Sequence, residues 1–354
     1  MLKEYHIEKK FRSVWEKNIF KWYYVNKRKL PWREKKNQNF YKIWISEVML
    51  QQTQVSVVIP FYNKFIKKWP TLELFLEATL EEILEIWQGM GYYRRAQNLF
   101  KAKEILKESK HVDINPASLK KLPGVGDYIS SAISAILKDE SCAVVDGNIK
   151  RILTRVFELE YSQKRYNQNI KDISKQLTPQ AKNGDYCQSL MDLANLVCKA
   201  KNPLCHKCPV ALLCKSKGLK IEKKKNKKKQ RRIAVSFIIR SENYFLIEKT
   251  SSQLLQNLFI FPLSEIRKVN ENQKLETIAN EITTNWMKEN KFTFSYKFNE
   301  EVNHIFTHFH LKVLLVRLEL KKKVNMSKYS WLTWSEIEEK PKSKLMKKIE
   351  DKLK

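Results

Sequence analysis

Six cysteines occur in the chain, and four of them, Cys198, Cys205, Cys208 and Cys214, stand as C-x6-C-x2-C-x5-C in the basic segment CKAKNPLCHKCPVALLCK. Four thiolates this close can wrap one tetrahedral ion or a cubane iron-sulfur cluster. Zinc sites usually bring two C-x2-C pairs separated by a longer loop, and this segment has one such pair, so the spacing favours the cluster over zinc. Cys142 and Cys187 fall outside the pattern and read as buried thiols. Cysteines crowded in this way do not resemble a disulfide framework, and they suit a reducing compartment.

A second constellation lies upstream, in KLPGVGDYISSAISAILKDESCAVVDGNIKR, residues 121 to 151. Leu122, Pro123, Gly124, Val125 and Gly126 interrupt two helical patterns, which predicts a helix, a glycine hairpin and a second helix. Two glycines around a small apolar residue let amide hydrogens point outward at the start of the second helix, where they and the helix dipole bind a phosphate. Such a hairpin grips a nucleic-acid backbone without reading its sequence. Asp146 ends the apolar run Val-Val-Asp-Gly-Asn; it is either a catalytic carboxylate near that grip or a helix N-cap.

Helices must position these groups. Apolar residues recur at helical spacing over 8–30, 41–65, 71–87, 94–108, 116–121, 127–138, 148–159, 167–176 and 184–200, with Pro60 and Pro70 as punctuation. An all-α domain over 1–214 is therefore expected. Residues 215–232, KSKGLKIEKKKNKKKQRR, carry eleven basic residues against one acid and read as an extended linker. From 233 to 354 the period shifts to strands (IAVSFIIR, YFLIEK, LFIFPL, FTFSYKF, FTHFHLKVLLVRLEL), with helical patterns at 273–288 and 341–353. That is an α+β domain.

At 354 residues the chain can bury two cores, and its net charge of +30 points to a polyanionic partner, nucleic acid or an acidic membrane surface. Part of that charge is discounted, because the excess of lysine and the seven glycines also fit an AT-rich genome. No signal-peptide core opens the sequence and no uncharged run of 18 or more residues occurs, so a soluble intracellular protein is expected.

The hairpin, the following Asp146 and the cysteine spacing together resemble the helix-hairpin-helix DNA glycosylases with an iron-sulfur cluster, the endonuclease III superfamily. LPWR (30–33), SEVMLQQTQV (46–55), GMGYYRRAQNL (89–99) and VDGNIKR (145–151) look like the adenine-specific mismatch glycosylases, the MutY family. The resemblance implies release of adenine opposite 8-oxoguanine or guanine in double-stranded DNA, with a 4Fe-4S cluster on Cys198, Cys205, Cys208 and Cys214. It implies Glu47 as the acid that protonates adenine at N7, Asp146 as the carboxylate that stabilises or captures the sugar cation, and Asn148 as its support. An acid on an otherwise apolar helix face, as Glu47 is, costs stability unless it is used or paired. Two carboxylates in unlike environments are what breaking a glycosidic bond requires.

Tyr128 stands where the strand-nicking branch carries its Schiff-base lysine, and a phenol forms no imine, so a monofunctional glycosylase without strong lyase activity is expected. Lys150 reads as a phosphate-contacting lysine. The resemblance further assigns Gln52, Met90 and Tyr92 to the wedge in the turn Met90-Gly91-Tyr92-Tyr93, Trp32 and Arg33 to the adenine pocket, and Leu122, Gly124, Val125 and Gly126 to the backbone grip. Core packing is the other reading of Trp32.

The second domain is similar to the family's Nudix-like lesion-recognition module, with Phe306, Thr307 and His308 at its Phe-Ser-His sensing loop and threonine in place of serine. After LFIFPL no glycine comes, and ENQKLETIANEITTN lacks the Arg-Glu pattern of a magnesium-dependent Nudix hydrolase, so no hydrolase activity is expected. The full expectation is a monomeric, cytoplasmic, nucleoid-associated repair enzyme of bacterial type. Its rivals are an endonuclease III-like enzyme for oxidised pyrimidines and a catalytically silent iron-sulfur DNA-binding protein.

Overall fold

The computed structural model describes residues 6–109, 112–161, 164–217, 229–252, 254–270, 273–298, 300–306 and 308–353. Thr307 and residues 218–228 of the basic run lie outside them. Contacts divide the chain into two compact units. One takes the residues up to Ala78 and those from Gln97 to the basic run; the other takes Thr79–Ala96 together with the residues beyond the run. Among the described residues no helix is long and apolar enough to cross a membrane.

The helical elements begin with α1 (Lys9–Asn26), α2 (Phe40–Leu50), α3 (Val55–Lys68), α4 (Leu72–Leu76) and α5 (Leu80–Trp87). They continue with α6 (Arg94–Ser109), α7 (Pro116–Leu119), α8 (Asp127–Lys138), α9 (Gly147–Phe157), α10 (Tyr166–Leu177) and α11 (Asn183–Leu196). The unbroken apolar pattern over 41–65 is two helices, because the chain turns at Gln52, whose φ of +54° no helix accommodates. Pro60 lies inside α3 without ending it; it is exposed, as is Ser56, whose carbonyl loses its helical donor on the solvent side.

On α9, Ile149, Ile152, Leu153 and Val156 follow the i, i+3, i+4, i+7 pattern and are all buried. They join Trp15 and Ile19 of α1, Ala132 and Ala135 of α8, Ile170 and Ile173 of α10, and Leu190 and Leu193 of α11 in one core. Burial of each such side chain stabilises by about 1.5–3 kcal/mol, as an upper estimate. This core fixes α8 and α9, and with them Tyr128 and Asp146.

The second unit holds a seven-stranded sheet: β1 (Gln230–Ser241), β2 (Tyr244–Lys249), β3 (Phe259–Ile260), β4 (Arg267–Val269), β5 (Glu300–Ile305), β6 (Phe309–Glu319) and β7 (Tyr329–Thr333). The order is β3-β2-β1-β6-β5, with β4 on β1 and β7 on β2. Only β1 and β6 pair in parallel, from Gln230 against Phe309 to Arg240 against Glu319. That pairing draws Gln230–Arg232, part of the charge run, into the strand. The helices α12 (Leu275–Glu289), α13 (Trp334–Glu339) and α14 (Lys344–Leu353) belong to the same unit, as does α5 within Thr79–Ala96. A capping box between Thr333 and Glu336 starts α13.

One expected strand is not formed. FTFSYKF alternates as a strand should, but its aromatics continue from Trp286 of α12 as a run of ring contacts through Phe292, Phe294, Tyr296 and Phe298, 5.4–6.3 Å apart. Side-chain packing replaces ladder hydrogen bonds there.

Candidate active site

Glu47 sits in the last turns of α2, among residues that are nearly all buried. Burial pushes its carboxyl up to about 7, against the pull of a hydrogen bond from Tyr128 and of the Arg33 charge; the nearby Asp146 pushes it further up. Its Oε2 is buried with no protein partner. A buried carboxyl with a raised pKa and an oxygen left open keeps its proton to higher pH than a free one and is able to donate it. Tyr128, in the first turn of α8, is itself held well above the usual phenol range by burial and by Glu47.

Asp146 is the N-cap of α9, so the cap reading of its sequence position holds. Its Oδ1 accepts from the backbone amides of Asn148 at 2.8 Å and Ile149 at 2.7 Å, and its Oδ2 from Asn148 Nδ2 at 3.0 Å. Burial raises its pKa, while these three bonds and Arg151 oppose the rise. The two carboxylates thus differ: one is buried and open on one oxygen, the other is braced as an anion by three donors. Capping leaves the carboxylate charge intact, so it does not preclude chemistry.

The hairpin joins α7 to α8 through Leu122 and Val125, both buried, with Val125 N donating to Leu122 O at 3.0 Å. Gly124 has φ +83°, and a Cβ there would stand 2.9 Å from Asn98 Cβ, so glycine is required twice over. Gln51 Nε2 donates to Gly124 O at 3.3 Å. Gly126 caps α8 without a side chain and is exposed, which leaves the first amides of α8 open to an anion. Lys150 donates to Asn167 Oδ1 at 2.5 Å and lies over the Tyr166 ring.

Cys198, Cys205, Cys208 and Cys214 are all half-buried and line one cavity with Ile152, Arg155 and Val210. Burial raises Cys208 to about 11, and the other three thiols add to the rise. Arg155 Nη1 donates to Cys198 Sγ at 3.3 Å and to Lys199 O at 2.7 Å. A single zinc ion would need its sulfurs about 3.8 Å apart at a 2.3 Å bond length. Among the described residues no group of three His, Cys, Asp or Glu side chains is drawn together to that degree. The four thiols line the same cavity, and their donor chemistry suits a thiolate-held metal group.

Trp32 is buried, its ring edge-on to Tyr62 at 5.3 Å. Arg33 forms a bidentate pair with the fully buried Asp192, at 2.7 and 3.0 Å, which Arg28 also binds. Gln52 is exposed. Tyr92 is 42% exposed with φ +51°, whereas Met90 is 7% exposed. In the second unit His304, Phe306 and Phe309 form a run of ring contacts at 4.6 and 4.8 Å, His308 is exposed, and Phe306 N donates to Phe309 O at 2.9 Å. Sequence reading missed Arg151, Arg155 and Asp192; the basic residues three and seven positions after Asn148 were the available signal.

The geometry has counterparts. A curated adenine DNA glycosylase of Buchnera aphidicola subsp. Schizaphis graminum is 34% identical over 330 residues, 89% of this chain and 91% of that protein. The chain belongs to the adenine DNA glycosylase family. Its residues 45–180 match the HhH-GPD superfamily of base excision DNA repair proteins, and 234–352 match the NUDIX domain. The human adenine DNA glycosylase is 38% identical over 60% of this chain, which spans 41% of that longer protein. A thermostable thymine-DNA glycosylase superposes with a TM-score of 0.53 at 28% identity, covering 58% of this chain and 96% of its own. Endonuclease III trapped covalently on DNA shares the fold at 20% identity and a TM-score of 0.50. As a member of its family the chain is an enzyme of base-excision repair, built from a helix-hairpin-helix domain and a Nudix-like domain.

Proposed function

We propose that the chain hydrolyses the N-glycosidic bond of adenine mispaired with 8-oxoguanine or guanine in double-stranded DNA, without nicking the strand. The observation that carries this reading is the unlike pair of Glu47 and Asp146. Adenine leaves the stack and enters the site. Glu47, protonated near neutral pH, gives its proton to N7 of the base. The bond from C1′ to N9 breaks with its electrons going to the base, and positive charge develops on the sugar. Asp146, braced by Asn148 and the α9 amides, stabilises or captures that cation until water adds at C1′. Tyr128 holds the Glu47 carboxyl and supplies no amine, which supports a reaction that stops at the abasic site.

Gln52, Met90 and Tyr92 serve in this reading as the wedge, the 122–126 hairpin as the phosphate grip, Trp32 and Arg33 as the pocket wall, and Phe306, Thr307 and His308 as the sensor of the opposite base. Cys198, Cys205, Cys208 and Cys214 hold a 4Fe-4S cluster. Bound there, the cluster gives the loop after α11 a rigid scaffold, and hydrolysis requires no electron from it.

Asp146→Asn tests the assignment. The variant should bind a mismatched duplex with unchanged affinity and release no base; full activity would sink it.

A further inference from the structure

We propose that Tyr93 is a positioning residue that locks the wedge turn to the strand carrying the lesion sensor. The proposal rests on the reading of Met90 and Tyr92 as a wedge and of residues 306–308 as a sensor.

The Gln88–Tyr93 turn and the segment 340–343 belong to the same compact unit. The turn is conformationally demanding, with φ of +97° at Gly89, +82° at Gly91 and +51° at Tyr92. Such a backbone needs ties. Gly91 O accepts from Trp87 Nε1 at 3.1 Å and from Arg95 Nη2 at 3.2 Å. Tyr93 ties the turn to another segment: its hydroxyl accepts from Gly89 N at 3.3 Å and donates to Lys342 O at 2.9 Å. Unlike Tyr92, which faces solvent, Tyr93 is half-buried with its hydroxyl engaged on both sides.

Lys342 is itself fixed. Its buried ammonium pairs with Glu350 of α14 at 2.9 Å, and Phe259 N donates to the neighbouring Pro341 O at 3.0 Å. Helix α14 packs on β5, where Lys348 Nζ donates to Asn303 O at 2.7 Å, two residues from the end of the strand that leads into the sensor loop. One phenolic oxygen therefore joins the wedge turn to the scaffold of the sensor. Lys340 and Glu81, 3.3 Å apart, add a second tie that is solvent-exposed and correspondingly weak.

The test is Tyr93→Phe, which keeps the ring and removes the oxygen. Single-turnover base release is measured on adenine opposite 8-oxoguanine and opposite guanine, with thermal melting of each variant. The expected result is a loss of about fivefold in the ratio of the two rates, borne by the 8-oxoguanine duplex, the effect of one hydrogen bond. Lys340→Ala should leave the ratio within about twofold. An unchanged ratio in Tyr93→Phe overturns the proposal, as does an equal fall on both duplexes with a lowered melting point, which marks a merely structural bond. Wild-type protein that releases no adenine from either duplex would refute the underlying reading before any variant is made, and the proposal with it.

Discussion

Asn148 and Arg151, one turn apart on α9, join Asp146 to the cysteine loop. Asn148 Nδ2 donates to Asp146 at 3.0 Å while its Oδ1 accepts from Arg151 Nη1 at 3.0 Å. Arg151 then donates to Ala194 O and Cys198 O, both at 3.0 Å. The loop that is proposed to hold the cluster and the carboxylate that is proposed to face the sugar are thus braced through one guanidinium. Arg151→Met removes the guanidinium donors of Ala194 O and Asn148 Oδ1, while Cys198 O keeps Arg155 Nη1 at 3.3 Å, a cost of about 1–3 kcal/mol. The variant should lose both iron content and base-release rate, the latter about tenfold. A variant with full rate and a full complement of iron would show that the brace is idle.

On the proposed reading Asp146 has two separable duties, the helix cap and the stabilisation of the sugar cation. Asparagine caps helices as well as aspartate, whereas alanine costs about 1 kcal/mol at an N-cap. Asp146→Asn should therefore melt like wild type and Asp146→Ala several degrees lower, with base release lost in both. Calorimetry and single-turnover assays on the two variants check this; a melting loss in both, with activity kept in the asparagine variant, would leave only the cap.

The raised pKa of Glu47 has a consequence for stability. The folded state holds its proton up to about pH 7, while the unfolded carboxyl releases it near the ordinary glutamate value of 4.5. Between those values the native state binds the extra proton, so this group's contribution falls as pH rises through the window. The total is of order 3 kcal/mol. Glu47→Gln should raise the melting temperature at pH 8 relative to wild type, lose that advantage at pH 4, and release no base at either. Melting curves at the two pH values decide it; an equal shift at both would contradict the titration.

On the proposed reading the same carboxyl sets the rate profile. With Glu47 as the acid, base release should decline as pH rises through about 7, tenfold for each further unit. A rate flat between pH 6 and 9 would remove Glu47 from that role.

For the cysteines, purified protein should be brown, and Cys208→Ser should lose the visible absorbance and most soluble yield. Colourless, iron-free protein with all four thiols intact, or stoichiometric zinc in place of iron, would contradict the cluster.

Much of the helical half was legible because 3.6-residue periodicity is local. The ends of α8 and α9, and with them Tyr128 and Asp146, follow from Gly126 and from the Val-Val-Asp-Gly-Asn turn. The break at Gln52 was not legible, since a positive φ in a glutamine is imposed by its surroundings and leaves no pattern. Neither was the bond from Arg33 to Asp192, which spans 159 positions of sequence. The short strands β4, β5 and β7 are half polar and gain their order from β1, β6 and β2, while FTFSYKF alternates as a strand and packs as an aromatic run. The burial that lifts Glu47 depends on side chains from several helices, and sequence showed only that an acid stood among apolar neighbours.

The most direct measurement is single-turnover cleavage of duplexes carrying adenine opposite 8-oxoguanine, guanine and thymine, each with and without hot alkali. The account predicts alkali-dependent breaks in the first two only, faster with 8-oxoguanine. Breaks without alkali, or release opposite thymine at the same rate, would contradict it.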